Sequence, residues 1–182
     1  MLKDLQEKLY RRKKIYNGRT VSFCADEILL PNGKKARREY LKHPGAVAVI
    51  PFIDDKNVVL VEQFRYPVGK ATYEIPAGKI EKGENPIRCV KRELSEETGY
   101  TAVNIKKLIS YWPTPAFSNE VLHIYCARGL KPSKVNPDED EFLRPRILPF
   151  SRVLRWVKNG RIMDSKTIIA VLLWQNLKSI RK

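Results

Sequence analysis

One capped helix set between β-type runs constrains this chain more than any other feature. Asn85 and Pro86 open the helical run and Gly99 closes it. A side-chain acceptor before the first turn, a proline within it and a glycine after the last are what helix ends favour. Upstream, residues 20–30 and 37–41 are strand-like and flank Pro31-Asn-Gly-Lys34, whose Asn-Gly dipeptide signals a hairpin. Residues 45–52 and 58–64 are β-rich around the turn Asp54-Asp-Lys-Asn57, and residues 105–111 and 121–127 are strand-like beyond the helix. A polar, proline-bounded loop over 131–141 precedes two helical stretches, 151–158 and 165–177, the second with a long apolar face suited to packing. Residues 2–10 suit a short amphipathic helix or an arm. Strands, helix, strands, helices spell an α+β fold, a mixed β-sheet sandwiched between helices (α/β/α) with an N-terminal β-strand arm.

The 182 residues suffice for one compact domain, and a hydrophobic share of 43% supports a sizeable core. No apolar run approaches the roughly 20 residues of a membrane-spanning helix. Residues 1–14 are charged throughout rather than apolar like a secretory leader, so a cytoplasmic setting is expected. Cys24, Cys89 and Cys126 have no metal-ligand spacing and read as reduced thiols, and neither His43 nor His123 has a partner at zinc spacing. The net charge of +15, densest over 8–19 and 34–42, fits an anionic small substrate or a solvated basic surface. It keeps nucleic acid in view as a partner, but basic and aromatic residues do not interleave as they do in single-strand binders.

Within Arg92-Glu-Leu-Ser-Glu-Glu-Thr-Gly99, Glu93, Glu96 and Glu97 stand at i, i+3 and i+4 and project from one side of the helix. Like charges at this spacing cost a few tenths of a kcal/mol per pair, roughly, and these lie in the last turns, where the helix dipole prefers cations. Ile87, Val90 and Leu94 form the apolar stripe expected to dock the helix. Arg92 is placed to pair with Glu96. A hard divalent cation would relieve the crowding, since Mg²⁺ takes carboxylate oxygens. The loop Lys79–Gly83, entered from Glu74-Ile-Pro-Ala-Gly78, could bring backbone groups up to the glutamate face.

Gly78, Glu84 and Arg92-Glu-Leu-x-Glu-Glu-x-Gly-Tyr100, at this spacing, resemble the Nudix box at every fixed position. Seven fixed positions would coincide by chance roughly once in a million such chains at ordinary residue frequencies, so the match carries weight. Tyr100 stands where an aliphatic residue is commoner. Outside the box, Glu62-Gln-Phe-Arg-Tyr-Pro67, Glu74-Ile-Pro-Ala-Gly78, and Pro115 fifteen residues past the box resemble the ADP-ribose pyrophosphatase branch. Thr114-Pro-Ala-Phe-Ser-Asn-Glu120 is similar to that branch's Ser-Pro-Gly-Phe-x-x-Glu loop, departing at Thr114 and Ala116.

The resemblance implies a Nudix pyrophosphohydrolase that cleaves the diphosphate of a nucleoside-diphosphate sugar, ADP-ribose first, to AMP and ribose 5-phosphate. It places Mg²⁺, with Mn²⁺ as a substitute, on Glu93, Glu96, Glu97 and the Ala77 carbonyl, and gives Arg92 the orienting of the glutamates. Arg65 would contact the diphosphate, Glu120 the terminal ribose, and Glu62 and Pro115 would complete the substrate site. Glu141, with Glu139 in reserve, would act as general base on a loop, alongside Glu97. The adenine would stack on an aromatic such as Phe23, Tyr40 or Tyr66. Residues 1–44 would form the arm of a homodimer and residues 45–182 the catalytic domain, with the box at 78–100. Alternatives are an RNA 5′-end pyrophosphohydrolase, a hydrolase of another nucleotide sugar such as GDP-mannose, or a non-catalytic ADP-ribose-sensing module.

Overall fold

The computed structural model describes residues 3–133 and 142–180. The chain divides into two compact units, one of residues 1–45 and 112–121, the other of 46–111 and 122–182.

The first unit is an antiparallel sheet built on β3 (Ser22–Leu29). β4 (Lys35–Lys42) pairs along its whole length, and Gly33 donates its N–H to the Leu30 carbonyl in the turn between them, as the Asn-Gly signal predicts. The opposite edge of β3 takes β2 (Lys14–Asn17) along Ser22–Cys24 and β1 (Lys8–Arg11) along Glu27–Leu29. The alternative of a helix over 2–10 is therefore corrected: apart from one 3-10 turn at Lys3–Leu5, the stretch enters a strand. Alternating Leu9 and Arg11 against Lys8 and Tyr10 have no helical period to follow. Residues 112–121 join this sheet by a bridge from Leu41 to Ser118.

In the second unit, β5 (Ala46–Pro51) is central. It pairs in parallel with β10 (Leu122–Pro132) and antiparallel with β8 (Ala77–Lys79), while β9 (Tyr100–Tyr111) lines the far edge of β10. Every residue of β5 is buried, the mark of a strand covered on both faces. Val47 and Val49 pack with Cys89, Val90 and Leu94 of α1 (Pro86–Thr98). Ala48 and Ile50 pack with Phe150 and Val153 of α2 (Phe150–Lys158) and with Ala170 and Val171 of α3 (Ser165–Ile180). The expected mixed sheet between helices is thus present. A further antiparallel sheet, β11 (Leu143–Pro149), β6 (Asn57–Arg65) and β7 (Lys70–Glu74), accompanies it. Among the described residues no helix is long and apolar enough to cross a membrane.

The helix ends follow the sequence reading. The Asn85 side chain accepts from the Ile87 N–H, and Gly99, at φ 72°, donates to the Ser95 carbonyl from a left-handed conformation that glycine adopts freely. The docking stripe differs from expectation. Cys89, Val90, Glu93, Leu94, Glu97 and Thr98 face inward, and Ile87 is exposed. Two glutamates therefore sit in positions that a packing helix ordinarily gives to apolar residues. Asn85→Ala should remove about 1 kcal/mol of stability through the lost cap, read from the urea midpoint with an unchanged slope.

Candidate active site

The inward stripe of α1 sets the site. Glu93 is 8% exposed and Glu97 3%, one helical turn apart on one face. Ionised carboxylates at such depth need donors or cations around them. The neighbouring strand and a single arginine provide them.

Glu97 Oε2 accepts the Ala77 N–H at 3.0 Å, which ties the end of α1 to β8. Glu93 lies directly over Gly78. A Cβ built on Gly78 would overlap the Glu93 carboxylate, and its three nearest atoms all belong to that group. Glycine is required at 78 for close approach, not for an unusual backbone angle.

Arg92 gathers the remaining acids. Its Nη1 donates to Glu96 Oε2 at 2.9 Å and lies 2.8 Å from Glu93 Oε1. Nε donates to Glu84 Oε1 at 3.1 Å, and Nη2 to Glu84 Oε2 and the Lys79 carbonyl, each at 3.2 Å. The Arg92–Glu96 pair thus forms as its spacing suggested. The bond from Arg92 holds the Glu84 carboxyl below its ordinary pKa, and the Glu84 bonds in turn raise that of Arg92. Burial, with Glu84 close by, pushes the Cys89 thiol up to about 12, so it stays a neutral packing group.

Among the described residues no three His, Cys, Asp or Glu side chains are gathered closely enough to hold an ion by themselves. Arg92 Nη1 stands between Glu93 and Glu96 instead. The donor chemistry nonetheless suits a hard divalent cation: carboxylate oxygens of Glu93, Glu96 and Glu97, with the Ala77 peptide in contact with Glu97.

Arg65, at the end of β6, grips Glu74 with two parallel bonds, Nε to Oε1 at 2.9 Å and Nη2 to Oε2 at 2.8 Å. Half of its fork is already committed within the protein, an arrangement the sequence reading did not foresee. Glu62 accepts from Arg146 Nε at 2.9 Å and from the Tyr73 hydroxyl at 3.0 Å, and both bonds lower its pKa. Of the aromatic candidates, Tyr66 is almost fully exposed, and the Tyr40 hydroxyl donates to Asp26, which together with burial raises the Tyr40 pKa to about 12.

Pro115 and Glu120 belong to the first unit. There Pro115 lines a cleft of about 440 Å³ with Arg38, Tyr40, Trp112 and Ser118. The Glu120 carboxylate lies 3.9 Å from His43 Nδ1. Glu139 and Glu141 lie outside the described residues.

Sequence reasoning assigned no role to Glu74. It is 2% exposed and accepts from Arg65, from the Thr72 hydroxyl at 2.6 Å and from Lys166. Burial alone would raise its pKa, but the two cations and the hydroxyl outweigh it and bring it to about 2.

The NUDIX domain matches residues 42–168. The chain belongs to that family and is a Nudix hydrolase. It is 43% identical over 183 residues to the methanol dehydrogenase activator of Bacillus methanolicus, covering 100% of this chain and 99% of that protein. It is 39% identical over 172 residues to an ADP-ribose pyrophosphatase of Bacillus subtilis (strain 168), covering 93% of each. Its fold is similar to the crystal structure of an ADP compounds hydrolase, with a TM-score of 0.84 over 97% of both chains at 19% identity.

Two outcomes follow from this geometry. Since the group that a Gly78 methyl would strike is the Glu93 carboxylate, itself buried and paired with Arg92, Gly78→Ala should lower the melting temperature and weaken Mn²⁺ binding in a spectroscopic titration. In a Glu93→Ala background the same change should add nothing. The Glu74 pKa, about 2 against an ordinary 4.5, means that its contribution to stability is complete above pH 4.5 and is lost as pH falls towards 2. Melts across that range should show the loss, and Glu74→Gln should flatten it.

Proposed function

We propose that the protein hydrolyses the diphosphate bond of a nucleoside-diphosphate sugar, with ADP-ribose its first substrate and AMP and ribose 5-phosphate the products. The observation that carries the reading is the burial of Glu93 and Glu97 on the docking face of α1, against Gly78 and the Ala77 peptide. Packing alone does not favour acids there, whereas cation binding requires them. The named activity of the 39% identical Bacillus subtilis relative, which this chain matches over 93% of its length, supports the choice of ADP-ribose.

In this reading Glu93, Glu96, Glu97 and the Ala77 carbonyl hold Mg²⁺, or Mn²⁺ in its place. The cation, when bound, neutralises the diphosphate and acidifies a water molecule. Arg92 keeps Glu93 and Glu96 apart and oriented. Arg65, steadied by Glu74, presents what remains of its guanidinium to the diphosphate. Glu62 is assigned to substrate contact, as are Pro115 and, for the terminal ribose, Glu120, and Glu141, or Glu139, accepts the proton of the attacking water. A cytoplasmic homodimer joined through residues 1–44, with 45–182 as its catalytic part, completes the reading.

The test is a product analysis by mass spectrometry on a panel of ADP-ribose, other ADP-sugars, GDP-mannose and 5′-triphosphorylated RNA, with and without Mg²⁺. Mg²⁺-dependent release of AMP and ribose 5-phosphate is expected to dominate. Glu93→Gln should fold normally and lose about 10²-fold or more in kcat, and Glu141→Gln should lose activity while still binding Mn²⁺. Preferred cleavage of RNA, or full activity of Glu93→Gln, would overturn the reading.

A further inference from the structure

Residues 74–78 run into the glutamate face of α1 and are held in turn by α3, β5 and α1 of the second unit. Gly78 lies beneath Glu93, the Ala77 N–H donates to Glu97, and the Pro76 carbonyl accepts from the Val49 N–H of β5 at 2.9 Å. The first two residues are held by the opening turn of α3. Ile75 donates its buried N–H to Thr167 Oγ1 at 2.9 Å, and Lys166 donates to the Glu74 carboxylate.

That turn is itself preorganised. Asp164 accepts from the Thr167 N–H at 3.0 Å and the Thr167 hydroxyl at 2.5 Å through one oxygen, and from Lys166 Nζ at 2.8 Å through the other. The Thr167 hydroxyl proton is committed to Asp164, so its oxygen is left to accept from Ile75. Lys166 is 8% exposed and Thr167 is fully buried. Two parallel bridges therefore join adjacent residues of α3 to adjacent residues of the strand end. One ends on Glu74, which in turn grips Arg65. The other ends on Ile75, two residues before the peptide that meets Glu97.

We propose that Lys166 and Thr167 are positioning residues of the active site. Thr167 sets the Ala77 peptide against Glu97 through Ile75, and Lys166 sets the direction of the Arg65 guanidinium through Glu74. The inference rests on the reading that Glu97 and Ala77 serve the cation and Arg65 the diphosphate. A role confined to holding the fold together would make different predictions, because the two bridges act on different ligands. Loss of the Thr167 bridge moves the cation site, and loss of the Lys166 bridge moves the Arg65 guanidinium that meets the diphosphate.

The full-length protein is tested as Thr167→Val, nearly isosteric, and as Lys166→Met and Lys166→Arg. Thr167→Val should raise the Kd for Mn²⁺, titrated by electron paramagnetic resonance without substrate, by about tenfold or more. Lys166→Met should leave the Mn²⁺ Kd near that of the wild type, raise KM for ADP-ribose by about tenfold with kcat little changed, and be rescued in part by Lys166→Arg. Val153→Ala, a cavity in the buried face of α2, serves as the control for lost stability. Unchanged Mn²⁺ affinity in Thr167→Val, or an equal loss in Val153→Ala at matched stability, overturns the inference and leaves the assigned function standing. Absence of Mn²⁺ binding by the wild type overturns both.

Discussion

Two carboxylates embedded in the packing face of α1 set the terms for the rest of the site. A buried, ionised glutamate is costly unless donors or cations surround it, and Glu93 and Glu97 are one turn apart. The neighbouring residues read as the answer to that cost. Position 78 is glycine because Glu93 occupies the space of its side chain, the Ala77 peptide turns its N–H towards Glu97, and Arg92 spreads its donors over Glu84, Glu93 and Glu96. The same surroundings make the acids tolerable to the fold and hold both carboxylates on one face of α1.

The supporting structure extends well beyond the helix. β5 carries Val47 and Val49 to α1 on one face and Ala48 and Ile50 to α2 and α3 on the other, so both helical layers are referred to a single strand. The polar group of Glu74, Arg65, Lys166, Asp164 and Thr167, buried at Glu74, Lys166 and Thr167, works in the same way. Each acceptor oxygen of Glu74 takes two donors, Arg65 and Thr72 on one and Arg65 and Lys166 on the other. A carboxylate saturated in this manner makes a stiff joint, whereas an incompletely paired one at that depth would destabilise the fold.

Much of this was legible in the sequence, and the exceptions have physical causes. α1 could be read to within a residue because Asn85 and Gly99 mark its ends chemically. β7 and β8 are short, and their residues carry no alternation of their own, so only their partners define them. β11 contains Pro145 and Pro149, which disguise a strand, but it lies at the edge of its sheet, where proline is tolerated. The burial of Glu93 and Glu97 was hidden because a hydrophobic pattern assigns acids to solvent; it selected Ile87 for the core, and the structure leaves Ile87 exposed. The hold of Lys166 on Glu74 spans 92 positions of sequence and leaves no local trace. The motif spacing located the acids and the Arg92–Glu96 pair, but the contacts of Glu93 with Gly78 and of Glu97 with the Ala77 peptide became visible only in three dimensions.

The contact between Gly78 and Glu93 also bears on how such a chain can change over generations. A lineage in which Glu93 was lost would find position 78 released from its constraint, and a side chain could settle there unopposed. From then on the glutamate could not return to its place, because the space would be filled, and recovery would need two coincident substitutions. Once position 78 is filled the loss works as a ratchet, and it is the glycine there that keeps the place of the acid open.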